Sequence, residues 1–229
     1  MGEWLQLQAN DGQELSAYLA RPTGEIKGGL VVLQEIFGVN AHIRSVADSY
    51  AQEGYVAIAP ALFDRIEPGV QLNYVGDDMQ KAFALYGKLD PEKAILDVAA
   101  AFATVGPEGA GAGVLGFCYG GLMAWLSATR GRAHGFDPKC TVGYYPGGVG
   151  KVASEQPTCP VMLHFGAEDT HIATDQVDAV RNAHPDVQVF VYEGAGHAFN
   201  RDLDPNSFRP EAAALARQRT LDFLEKNLA

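Results

Sequence analysis

"GVLGFCYGG", residues Gly113 to Gly121, is the stretch on which the reading of this chain turns. The run from Gly113 to Phe117 is apolar without interruption, as a strand covered on both faces requires. A helix is expected to begin just past Cys118. A strand that passes so abruptly into a helix strains the backbone of the residue at its apex. The neighbours must then be small, and Gly116 and Gly120 stand two residues before and after Cys118. Gly121 lets the helix close onto the sheet.

Such a turn has two chemical consequences. It lifts the Cys118 side chain clear of the sheet. It also sets the thiol at a helix N-terminus, where free N–H groups and the macrodipole favour an anion. The backbone N–H of Tyr119 points into the same space and is a candidate oxyanion donor. A lone cysteine is more often a small buried hydrophobe, and Cys140 and Cys159, each near a strand start, are read that way. The glycine context sets Cys118 apart as a candidate nucleophile. An overlapping GxGxxG, Gly111 to Gly116, is not a dinucleotide fingerprint, because its first glycines precede the strand and its third lies inside it.

Outward from this turn, strands and helices alternate. Leu5–Gln8 and Leu15–Arg21 read as an antiparallel hairpin around Asn10-Asp11-Gly12. Gly29–Gln34, Tyr55–Pro60, "TVGYY", "PVMLHF" and "VQVFVYE" read as further strands. Helices are expected from an Asn40 cap to about Gln52, from Asp90-Pro91 to about Thr104, over Thr174–Asn182 and over Glu211–Leu228. The irregular stretch from Pro60 to Asn73 has the length of a functional loop. This order predicts an α/β fold, one domain over residues 1–229. Its central sheet is mostly parallel, with about eight strands and helices on both faces. Reactive residues gather beyond the carboxyl ends of such strands.

Composition narrows the partners. The chain has 229 residues, 47% hydrophobic and 20% charged, with a formal charge of −11. That balance argues against nucleic acid and anionic membranes, and an anionic substrate would need a local basic pocket. Three cysteines without CxxC spacing, no signal-like start and no long apolar run predict a reduced, cytoplasmic protein. No cofactor is expected. Glu168, Asp169 and His171 lack metal-ligand spacing, so no metal is expected either.

A thiol at neutral pH needs a base. Asp169 in "HFGAEDTHI" and His197 in "EGAGHAFNR" each follow a strand's carboxyl end. The order Cys118, Asp169, His197 is the nucleophile–acid–histidine order of the α/β-hydrolase scaffold. In that arrangement His197 moves the proton and Asp169 fixes its orientation.

Taken together, "VVLQEIFGVN", "GFCYGG", "GYYPGG", "HFGAEDTHI", "YEGAGHAFNR" and "RTLDFL" resemble the dienelactone hydrolase family, carboxymethylenebutenolidase-like α/β-hydrolases, over nearly the whole chain. The resemblance implies a Cys118–His197–Asp169 triad and a small lactone or ester substrate. It implies that Glu35 contacts the thiol as a switchable base, and that the Ile36 N–H is a second oxyanion donor. It implies that Phe37 and Tyr145 line the pocket and that the protein is a monomer. The family grips a substrate carboxylate with two arginines. Arg201 matches one. Met79 falls where the other belongs, on a helix near residues 79–83, with Lys81 nearby as a substitute cation. Two other classes remain open at this stage: a non-catalytic ligand receptor on the same scaffold, and a thiol redox sensor in which Cys140 approaches Cys118.

Overall fold

The computed structural model describes residues 2–109 and 111–228. Among these residues eight strands form one sheet: β1 (Glu3–Gln8), β2 (Glu14–Ala20), β3 (Gly28–Leu33), β4 (Tyr55–Pro60), β5 (Ala112–Phe117), β6 (Thr141–Tyr144), β7 (Val161–Gly166) and β8 (Gln188–Tyr192). Their order across the sheet is β1-β2-β4-β3-β5-β6-β7-β8. The β1–β2 and β2–β4 pairs are antiparallel, and every later pair is parallel. The central strands β3 to β7 are buried at every residue. That is the signature of a sheet covered on both faces.

Among the described residues six α-helices connect or follow the strands: α1 (Ala41–Gln52), α2 (Asp77–Tyr86), α3 (Pro91–Val105), α4 (Tyr119–Arg130), α5 (Thr174–Ala183) and α6 (Pro210–Leu228). The caps lie where local chemistry puts them. Asn40 Oδ1 accepts from the Ile43 N–H, and Asp90 Oδ1 from the Glu92 N–H, with Pro91 at the first helical position. On one face Arg217 of α6 donates to Ser49 and Glu53 at the end of α1.

Helix α2 is the element that periodicity did not reveal. Only Ala82 and Leu85 of α2 are buried, so no stripe wide enough for core packing exists. The segment from Pro60 to Asn73 carries a short 3₁₀ turn, Leu62–Arg65. The buried Gln34 holds it in place, its Oε1 accepting from the Leu62 N–H at 3.1 Å. The glycines read as GxGxxG lie at the entry to β5 and inside it, and they open no helix. Among the described residues, no helix is long and apolar enough to cross a membrane.

Candidate active site

Cys118 sits between β5 and α4 with φ +53° and ψ −114°. This is a left-handed backbone that L-residues other than glycine rarely adopt. Two close approaches hold it there. A Cβ on Gly116 would stand 2.0 Å from the Gly120 carbonyl oxygen, and a Cβ on Gly120 would stand 2.4 Å from that of Leu33. The Gly120 N–H donates to the Gln34 carbonyl at 3.0 Å. The strand β3 and its exit loop are thereby locked against the turn.

Two loops from the far side of the sheet meet at Cys118. Asp169 follows β7, and its side chain is almost fully buried. Its Oδ1 accepts from the backbone N–H groups of His171 (2.8 Å) and Ile172 (3.1 Å). Its Oδ2 lies 2.8 Å from His197 Nδ1. Burial raises the Asp169 pKa, but hydrogen bonds from His197 and the two backbone donors outweigh it and leave the carboxyl below its ordinary value. His197 follows β8. Burial disfavours its charged form, yet hydrogen bonding to Asp169 and Cys118 prevails and raises its pKa to about 10. The imidazole is thus anchored by the Asp169 carboxylate and shares a cavity wall with the thiol.

Glu35 lies just past β3 with its side chain 1% exposed. Its carboxylate is taken by Arg201 in a two-pronged pair, Nε to Oε2 at 3.1 Å and Nη2 to Oε1 at 3.0 Å. No hydrogen bond joins Glu35 to Cys118 among the described residues. In this state the glutamate is held by the arginine, whereas the resemblance placed it on the thiol. The third guanidinium arm, Nη1, donates to Asp204 Oδ2 at 3.2 Å. The plane of Arg201 rests on Tyr74 and Phe37, 4.1 and 5.1 Å from their ring centres.

A cavity of about 460 Å³ opens over the thiol. Ile36, Phe37, Cys118, His197 and Arg201 lie in its wall. Tyr119 is the first residue of α4, so its N–H has no partner within the helix. Two sequence expectations fail here. Lys81 does not line the cavity. It lies on α2 about 200° around from Met79 and pairs with Glu67 at the surface. Tyr145 is fully buried and stands behind His197, with ring centres 4.9 Å apart. Its hydroxyl has no hydrogen-bond partner among the described residues.

Phe83, Tyr86, Lys151, His171 and Asp204 are among the wall residues that went unrecognised in the sequence. The spacing of Met79, Phe83 and Tyr86 is that of one helix face and was there to be read. Lys151 lies in a 3₁₀ turn after β6, and no sequence pattern marks it. The proposed approach of Cys140 to Cys118 is ruled out. Cys140 stands level with Gly113, at the opposite end of β5. Five residues of strand separate them, roughly 16 Å, well beyond disulfide reach. Among the described residues, no group of three His, Cys, Asp or Glu side chains is placed to hold a metal ion.

Residues 15–228 match the model of the dienelactone hydrolase family. A carboxymethylenebutenolidase of Pseudomonas putida is 33% identical over 231 residues, covering 97% of this chain and 95% of that protein. Another, from Pseudomonas sp. strain P51, is 34% identical over 236 residues, covering 98% and 95%. A crystal structure from Klebsiella pneumoniae, provisionally assigned as a dienelactone hydrolase, superposes with a TM-score of 0.77 at 30% identity, covering 96% of this chain and 98% of that one. A sheet with this strand order, a strained strand-to-helix turn and matches that run nearly end to end place the chain in the dienelactone hydrolase family, within the α/β-hydrolase fold.

Proposed function

We propose that this chain opens enol lactones or activated esters through a thioester on Cys118, as a carboxymethylenebutenolidase-like enzyme. The observation that carries the reading is the left-handed Cys118 at the N-terminus of α4, sharing the cavity wall with a histidine that Asp169 holds from behind. The Cys118 thiolate attacks the carbonyl carbon, and the oxyanion is received by the backbone N–H groups of Ile36 and Tyr119. The C–O bond then breaks, and the departing oxygen takes a proton from the His197 imidazolium. Water enters, His197 accepts its proton, and the hydroxide oxygen attacks the thioester. The C–S bond breaks, releasing the acid and restoring the thiolate. Glu35 reaches the thiol only if Arg201 lets it go, so His197 is the base in the resting state.

Sulfur sets a preference. A free thiol has a pKa of about 8.5, so thiolate leaves more readily than an alkoxide. The tetrahedral intermediate returns to substrate unless the departing oxygen is also a good leaving group. Enolates, phenolates and thiolates qualify, and simple alkoxides do not. The test compares phenyl acetate with an alkyl acetate of similar size, and looks for an acyl adduct on Cys118 by mass spectrometry. Rapid phenyl ester turnover with slow alkyl ester turnover and a trapped adduct supports the mechanism. Equal rates, or acylation elsewhere, refute it. A receptor that leaves its thiol unused would show neither turnover nor prompt alkylation by iodoacetamide.

A further inference from the structure

The wall of the cavity over Cys118 is divided. On one side α2 presents Met79, Phe83 and Tyr86, with Phe83 and Tyr86 both substantially exposed. Tyr86 is braced edge-on against Tyr119, their ring centres 5.7 Å apart. This side offers apolar and aromatic surface and no charge. The floor holds Arg201, whose guanidinium arms are occupied by Glu35 and Asp204. A ligand anion at Arg201 would have to displace a buried carboxylate. Asp204 also lies in the wall, so the Arg201, Glu35 and Asp204 group carries a net negative charge.

One cation is left. Among the described residues in this wall, Lys151 is the one lysine or arginine with no carboxylate within ion-pair distance. It follows β6, whereas α2 follows β4, and these strands lie on opposite sides of β5. The apolar wall and the free ammonium therefore approach Cys118 from opposite flanks. Lys151 is seated on a fixed support: at its neighbour Gly150 even a Cβ would come within 2.8 Å of the Gln176 side chain, on α5.

We propose that Lys151 is the anion-selecting residue of this site. On the proposed function, which this inference deepens, the substrate is an activated ester or lactone with two ends. Its planar apolar portion lies on Met79, Phe83 and Tyr86, and a carboxylate on the opposite side of the reacting carbonyl meets Lys151. The lysine acts as a point charge on a long stem, so it accepts a carboxylate at a range of angles.

Two readouts separate this inference from the hydrolase reading. The first is the ratio of kcat/KM for the mono-p-nitrophenyl ester of glutaric acid to that for p-nitrophenyl butyrate. The expected ratio exceeds one, falls about five-fold in Lys151→Met and further in Lys151→Glu, and shrinks as salt rises. Lys81→Met leaves the ratio unchanged. The second readout needs no turnover: 3-phenylpropanoate should protect Cys118 from iodoacetamide better than its neutral amide, and Lys151→Met should abolish the difference. If neither ester is hydrolysed, the proposed function fails and the protection experiment still decides the role of Lys151. A ratio and a protection unchanged in both Lys151 variants, or altered equally in Lys81→Met, overturn the inference.

Discussion

Glu35 and Arg201 meet in a two-pronged ion pair at the floor of the cavity, at 3.0 and 3.1 Å, with side chains 1% and 8% exposed. Desolvation of both charges cancels much of their attraction, but removing one partner strands the other. Arg201→Met should therefore destabilise the fold by about 3–5 kcal/mol in urea unfolding. Adding Glu35→Gln to that variant should recover most of the loss. A single variant as stable as the double would mean that Glu35 is already neutral in the folded protein.

Cys118→Ser retains the turn and a hydroxyl at its apex, but the hydroxyl is a far weaker nucleophile beside an imidazole tuned to sulfur. Turnover of p-nitrophenyl acetate should fall by about three orders of magnitude or more, with the urea midpoint little changed. Retained activity in this variant would remove Cys118 from the chemistry.

His197 is raised from 6.5 to about 10 by its partners. The folded state binds this proton more tightly than the unfolded chain. The resulting stabilisation is complete below about pH 6.5, declines as pH rises, and is gone above about pH 10. Measured from pH 6 to 10, the stability advantage of the parent over His197→Gln should shrink steadily. A constant difference would show that His197 is not held protonated.

The buried Tyr145 hydroxyl has no partner among the described residues, and an unsatisfied buried hydroxyl is costly. Tyr145→Phe should raise stability by about 1 kcal/mol. A fall of that size would reveal a hydrogen bond from the hydroxyl that the folded chain depends on.

Gly116→Ala should cost about 3 kcal/mol or prevent folding, since the added carbon would stand 2.0 Å from a carbonyl oxygen. Gly24→Ala, with nothing within 4 Å of the added carbon, should stay within about 0.5 kcal/mol of the parent. Equal effects at the two positions would contradict the close packing of α4 on β5.

The parts of this molecule that were legible in its sequence are those governed by local pattern. Buried parallel strands read as apolar runs, caps read as Asn40 and Asp90-Pro91, and the turn at Cys118 reads from its glycines. Asp169 and His197, which the fold pairs, could be read because each lies in the loop that follows a strand's carboxyl end. The cavity wall was harder, because it depends on which side of a helix faces a void. Lys81 and Met79 are two residues apart, and a helix sends them in nearly opposite directions. Tyr145 immediately follows β6 and looked available, but its backbone, at φ +35°, turns the ring into the interior. Lys151 lies in a short turn that carries no periodic signal.

Helix α2 contributes three side chains to the cavity and only Ala82 and Leu85 to the interior. One flank of the cavity is thus supplied by a ten-residue segment on which the sheet hardly relies. New specificities can be written there, one surface residue at a time, while the apparatus around the thiol is left untouched. A library confined to positions 79, 83 and 86 would explore substrate range at little risk to folding.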